Sequence, residues 1–257
     1  MSHSVEIRIA SDADTASKNV AEEFAKALQL KPNIVLGLAT GGTPVGVYQH
    51  LVSLYQAGEI SFQQCTTFNL DEYVGLGPEH PQSYRYFMQT NLFDHIDIAA
   101  GKTFVPDGVA KSIQDSCADY ESKIQSFGGI DLQLLGIGEN GHIAFNEPGS
   151  DSSGRTSVVG LTDNTILANS RFFESVDEVP RQAVTMGIGT ILESKRIILM
   201  ATGGNKAEAI ARALEGQPSV DSPASFLATR ENIIFVLDQA AASRLSESTI
   251  RTAKEID

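Results

Sequence analysis

No run in the chain approaches the ~20 apolar residues that a membrane-spanning helix needs. Its first residues, MSHSVEIRIASDAD, lack the basic flank and the apolar stretch of a secretory signal. Cysteine is scarce: Cys65 and Cys117, far apart, form neither a disulfide framework nor a zinc site. The 5 histidines are scattered without metal-ligand spacing. Basic charge is also in short supply, with 19 Lys+Arg against 32 Asp+Glu. The resulting net charge of −13 repels nucleic acid and anionic lipid at long range. These absences predict a cytoplasmic protein with no metal or other cofactor, no nucleic-acid partner and no membrane contact. A small anionic molecule can bind only where local arginines, lysines and backbone amides reverse the field.

What the chain does have is strand and helix signals in alternation. At 257 residues and 42% hydrophobic, it can bury the core of one α/β domain. Short apolar, β-rich runs at Val5–Ile9, Asn33–Leu38, Thr66–Leu70, Lys102–Val105, Leu132–Ile137, Arg196–Met200 and Ile233–Leu237 predict strands. Between them, Thr15–Leu28, Pro44–Gln56, Ser83–Phe93, Ser112–Phe127 and Lys206–Leu214 carry helical periodicity, and a last helical stretch starts at Ala240. Such alternation predicts a mostly parallel, doubly wound, Rossmann-like sheet with helices on both faces. No low-complexity linker, charge run or repeat divides the chain, so residues 1–257 are expected to form a single domain. In open α/β sheets ligands bind outside the carboxyl ends of the strands, where chain-distant loops meet.

The most informative loop is Leu134–Gly149, LLGIGENGHIAFNEPG, an apolar strand running into a glycine-rich turn. His142, two amides (Asn140 and Asn146) and the carboxylate of Glu147 follow within a few residues. A histidine with a carboxylate in reach can move protons near neutral pH. Gly136–Gly141 also fits the dinucleotide pattern GxGxxG, but Pro148 and Gly149 cut short the helix that pattern needs.

Two further loops share one design. Thr40-Gly41-Gly42-Thr43-Pro44 joins a strand to a helix; Thr43 is placed to cap that helix and Pro44 to open it. Gly41 and Gly42 let backbone amides approach an anion at the positive helix end. Thr202-Gly203-Gly204-Asn205-Lys206 repeats the arrangement and sets a lysine at a helix start. Neither loop has P-loop spacing, so the expected ligand is a small phosphorylated metabolite rather than a nucleotide. Asp71 lies in the loop after a buried strand, where a carboxylate could abstract a carbon-bound proton next to a carbonyl. In Asn169-Ser170-Arg171-Phe172-Phe173, the arginine beside two aromatics suggests a mobile lid, around residues 160–182, that lowers Arg171 onto a phosphate.

TGGTP, FNLDEYVGL, HPQSY, GxxGHIAFNEPG and NSRFF, in this order and spacing, closely resemble the glucosamine-6-phosphate deaminase family. The resemblance runs from about Asn33 to about Leu237, and the pairing of GHIAFNEPG with FNLDEY is highly specific. The related 6-phosphogluconolactonases share the fold and a GxxGHxA core but lack the FNEPG and DEY runs. The resemblance implies hydrolytic conversion of glucosamine 6-phosphate to fructose 6-phosphate and ammonia in aminosugar catabolism. His142, oriented by Glu147, would then open the pyranose ring. Asp71 would carry the C2 proton to C1, and the resulting imine would hydrolyse without any cofactor. By the same resemblance Gly41, Gly42, Thr43, Arg171 and Lys206 would hold the phosphate.

Two departures stand out. Many members carry aspartate where this chain has Asn140, which can orient the imidazole but cannot offset its charge; slower ring opening or an altered pH dependence follows. Allosterically activated, hexameric members carry basic residues where Arg155–Val159 has Ser157 and Val159, so this enzyme is expected to be unregulated, as a monomer or a homo-oligomer. The rival readings are a lactonase acting on a sugar phosphate and a non-catalytic sugar-phosphate sensor. Asp71 and the FNEPG run oppose the first. The second needs a DNA-binding segment, and the stretch before Asn33 is too short to hold one beside its helix.

Overall fold

Each apolar run predicted as a strand forms one in the computed structural model, which describes residues 5–257. Seven parallel strands arise from those runs: β1 (Glu6–Ala10), β2 (Val35–Leu38), β3 (Thr66–Asn69), β5 (Thr103–Phe104), β6 (Leu132–Leu135), β9 (Ile197–Ala201) and β10 (Ile233–Asp238). Every residue of β2, β3, β6, β9 and β10 is buried. Burial on both sides is why these strands read as continuous apolar runs without alternation. β11 (Lys254–Ile256), which carried no strand signal, adds an eighth parallel strand beside β1.

The strand order is β11-β1-β10-β9-β6-β2-β3-β5. The chain therefore moves outward from β2 to β3 and β5, then returns to β6 on the other side of β2 and continues to β9 and β10. Because crossovers between parallel strands are right-handed, that reversal puts the helices of the two halves on opposite faces. Helices α1 (Ala13–Leu30) and α2 (Val45–Gln56) pack together on one of them. α4 (Ile113–Ser126), α6 (Ile188–Leu192), α7 (Ala207–Glu215) and α8 (Gln239–Ala242) belong to the return half, with α9 (Glu247–Ile250) following before β11. The expected last helix from Ala240 is thus two single turns, α8 and α9. α1 shows how local sequence starts these helices: Asp12 accepts the Thr15 amide at 2.8 Å, and Val20, Phe24 and Leu28 turn one face into the core.

The reversal between β2 and β6 is the topological switch point, where α/β sheets open a crevice. A small recess there is lined by Ala39, Thr43, Leu135, Gly136 and Met200, from the ends of β2, β6 and β9.

One part of the architecture was not expected. β4 (Asp71–Tyr73), β7 (Ser157–Gly160) and β8 (Gln182–Thr185) form a second, antiparallel sheet of order β4-β8-β7. It has its own apolar cluster of Tyr73, Phe145, Leu161, Ile166, Val179 and Ala183, separate from the main core. α3 (Tyr84–Asn91) packs beside β4, and α5 (Asp163–Asn169) lies between β7 and β8 in the chain.

Candidate active site

The base candidate sits on a strand and not in a loop. Asp71 opens β4 directly after Leu70 and is 6% exposed. Thr40 Oγ1, from the loop after β2, donates to its Oδ1 at 3.4 Å. Burial pushes the Asp71 carboxyl up to about 8, the neighbouring charge of Glu72 adding to the effect.

Nothing in the local sequence marks Glu72, the next residue, for a role. It is in fact buried, and its oxygens accept the amides of Tyr73 (2.9 Å), Tyr84 (2.8 Å) and Arg85 (2.9 Å). It satisfies two orphan donors at the start of α3 while locking the backbone next to Asp71. Glu72→Ala would leave three amides without their acceptor, at a cost of about 2–5 kcal/mol in denaturant unfolding. Glu72→Gln removes the charge that adds to burial in raising Asp71, so the acid limb of the pH–rate profile should move to lower pH; an unmoved limb would contradict the contribution of Glu72.

β8 joins this strand to the histidine loop. Thr185 pairs with Asp71 across the small sheet, and its Oγ1 accepts the Phe145 amide at 3.1 Å. Met186 N donates to Leu70 O at 2.7 Å, while Met186 O accepts Asn146 Nδ2 at 2.9 Å. Asn146 is thus a structural brace, buried with its Nδ2 donating to two backbone carbonyls. Asp71 and the loop 136–149 are neighbours through two residues on a third segment.

No helix opens within that loop, so the dinucleotide pattern fails as its proline and glycine predicted. The His142 imidazole lies against Gly138, where any Cβ would come within 2.3 Å of the ring, hence the glycine. His142 Nδ1 is 3.5 Å from Glu147 Oε2 and makes no hydrogen bond. Asn140 corrects one expectation: it does not orient the imidazole. Its Nδ2 donates to Glu147 Oε2 at 2.6 Å, and its Oδ1 accepts the His142 backbone amide at 3.2 Å. It therefore holds the carboxylate and the loop. Thr162 and Thr165, missed in the sequence, donate to Glu147 Oε1 from the start of α5. Burial pushes the Glu147 carboxyl up, but these hydrogen bonds and the charge of His142 outweigh it and hold the group at about 2.

On the anion side, α2 begins at Val45 with Pro44 as its cap residue, and Thr43 makes no capping bond, contrary to expectation. Gly41 adopts φ +89°, which only glycine holds without strain, and so shapes the turn before α2. Lys206 sits half-buried just before α7. Burial pushes its ammonium down, Glu139 pushes it up, and the Arg171 guanidinium is near enough to push it down again. Asn205 Nδ2 ties the same loop to Glu139 at 2.7 Å. Among the described residues, neither Lys206 Nζ nor the Arg171 guanidinium has an ion-pair partner. Two cations near each other and without an ion pair, in a chain of net charge −13, can attract an anion. Arg171 lies exposed on the turn Ser170–Phe172, stacked over the Phe172 ring at 4.7 Å. Of the two aromatics beside it, Phe172 stays 44% exposed, whereas Phe173 packs edge-on against Tyr73 at 5.9 Å.

Fold and site are those of an α/β enzyme whose titratable and cationic side chains gather about a switch-point crevice. Residues 10–235 match the model of the glucosamine-6-phosphate isomerases/6-phosphogluconolactonase family, and the chain belongs to that family. It is 53% identical over 243 residues to a glucosamine-6-phosphate deaminase of Rhodopirellula baltica, covering 95% of this chain and 97% of that one. It is 50% identical over 240 residues to a protein of the same name from Thermoanaerobacter sp. (strain X514), covering 93% and 95%. A solved structure described as a monomeric glucosamine-6-phosphate deaminase superposes with a TM-score of 0.91 at 46% identity, covering 93% of this chain and all of that one. The 6-phosphogluconolactonase of Trypanosoma cruzi, at 20% identity and a TM-score of 0.75, shares the fold. Among the described residues no helix is long and apolar enough to cross a membrane.

Proposed function

We propose that the protein is a glucosamine-6-phosphate deaminase that converts its substrate and water to fructose 6-phosphate and ammonia. The buried carboxylate of Asp71, raised to about 8 and bridged by Thr185 to the His142 loop, carries the reading. A carboxylate of that basicity suits removal of the proton on C2, which the exposed aldehyde acidifies. His142 and Glu147 move the proton that opens the ring. Asp71 returns its proton to C1, and water attacks the imine at C2 to release ammonia. Gly41, Gly42, Thr43, Arg171 and Lys206 hold the phosphate, with residues 160–182 as a lid. The separate small core under that segment supports independent motion.

The deciding assay follows ammonia and fructose 6-phosphate together from glucosamine 6-phosphate. Equal yields with hyperbolic saturation support both the reaction and the absence of allosteric activation in this cytoplasmic enzyme; no ammonia from well-folded protein refutes the reaction. A single peak at the mass of one chain in solution would support a monomer. Removal of the Lys206 cation should act on phosphate binding. Lys206→Ala should raise KM about 10- to 100-fold, the loss of one charge-assisted contact, and leave kcat within a few-fold. A fall in kcat with KM unchanged would place Lys206 at the reacting carbons instead.

A further inference from the structure

Glu147 is gripped from outside its own loop. Its Oε1 accepts from Thr165 Oγ1 and, at 3.3 Å, from Thr162 Oγ1, and the two hydroxyls lie 3.1 Å apart. Thr162 also caps α5 by accepting the Thr165 amide at 3.3 Å. Thr165 is 6% exposed, so water does not compete for this contact. α5 is a short rod of 7 residues that runs directly into the turn carrying Arg171. At a helical rise of about 1.5 Å per residue, Thr165 and Arg171 stand roughly 9 Å apart along it. One end of the rod holds the relay carboxylate and the other presents the guanidinium to the anion site. The relay stands slightly open, since Nδ1 of His142 is 3.5 Å from Glu147 Oε2, beyond a good hydrogen bond.

We propose that Thr165 is a positioning residue that couples capture of the phosphate by Arg171 to the alignment of Glu147 against His142, an inference that rests on the function proposed above. When Arg171 is drawn toward an anion near Lys206, the rod moves with it, and the Thr165 hydroxyl carries Oε1 along. Oε2 then turns onto the imidazole, so ring opening begins only on a molecule whose phosphate is bound. The groups facing Glu147 are the imidazole of His142 and the uncharged side chains of Asn140, Thr162 and Thr165.

The test compares wild type with Thr165→Val, which keeps the shape and loses the hydroxyl, and Thr165→Ser, which keeps the hydroxyl. Inorganic phosphate is titrated in while NMR follows the His142 imidazole resonances and calorimetry follows binding. Phosphate should move the imidazole resonances in wild type and in Thr165→Ser; in Thr165→Val it should bind but leave them unmoved. If Thr165→Val fails to fold, Arg171→Gln replaces it and should abolish the response with Thr165 intact. In turnover, kcat should fall about tenfold in Thr165→Val and return to within twofold in Thr165→Ser. An undiminished imidazole response in Thr165→Val or Arg171→Gln overturns the coupling, as does bound phosphate that moves nothing in wild type. Failure of phosphate to bind wild type overturns the coupling together with the phosphate site, whereas ammonia release reports on the proposed reaction separately.

Discussion

Asp71→Asn should lose at least 10³-fold in kcat/KM for ammonia release while becoming more stable than wild type at alkaline pH. General-base catalysis contributes about 10²–10⁴-fold, and here the base must act on a carbon acid, which places the loss at the upper end. The amide keeps the size and most of the polarity of the carboxylate, so Thr40 and the pairing with Thr185 remain available. The acid limb of the wild-type profile should lie near pH 8, because Asp71 is raised to about 8 and only its ionised form abstracts a proton. The stability effect has the opposite sign. The folded carboxyl titrates near 8 against 3.8 for an unperturbed aspartate, so the native state binds more protons between these values. Stability therefore declines as pH rises from about 4 to about 8 and stays lower above that. Asparagine has no charge to bury. Its gain at pH 9 should be at least 1 kcal/mol, about 2–4 °C in Tm for a chain of this size, and should vanish below pH 4. Equal Tm values at pH 9 would mean that Asp71 is far better solvated than its surroundings indicate.

The second large effect is expected at the relay. His142→Gln should lower kcat about 10²–10⁴-fold, because the proton that opens the ring then has no carrier. The loss should fall on kcat with KM within a few-fold, since the phosphate loops are untouched. A loss below threefold would remove His142 from the reaction. The same substitution should release Glu147. That carboxyl is held at about 2 partly by the nearby imidazole of His142 and its charge, so it should rise in the variant. A carboxylate held below its unfolded value of 4.5 contributes stability that is present above that pH and lost as pH falls toward 2. Wild type should therefore lose more stability than Glu147→Gln between pH 4.5 and pH 2. Parallel pH–Tm curves for the two proteins would contradict the depressed value.

Strands, helices and the loops of the candidate site were readable along the chain because their signals are local. Buried parallel strands appear as apolar runs such as Ile197–Met200, and glycine pairs before helix starts mark the turns at Gly41 and Gly203. Proline and glycine at 148 and 149 ruled out a dinucleotide helix for the same local reason. What failed to show depends on partners distant in sequence. Asp71–Tyr73 is too short to announce a strand, and becomes one because residues 182–185 pair with it more than a hundred positions later. Glu72 looks like any surface acid until α3 brings the amides of Tyr84 and Arg85 to it. Asn140 was expected, from the family resemblance, to orient the imidazole, but its side chain reaches Glu147 instead. Thr162 and Thr165 carry no catalytic signature at all.

By itself, then, the sequence determined the parallel α/β fold and the switch-point loops, and it marked Asp71, His142, Glu147, Arg171 and Lys206 as the candidate residues. Those are matters of residue type and local backbone, which short-range periodicity and turn chemistry record. Only the tertiary structure decided how they act together. It buried Asp71 beside Glu72 and so raised its carboxyl, tied it to the histidine loop through Thr185, and hydrogen-bonded Glu147 to the helix that runs into the Arg171 turn. Burial and cross-chain hydrogen bonding are properties of the packed chain, and no window of sequence contains them.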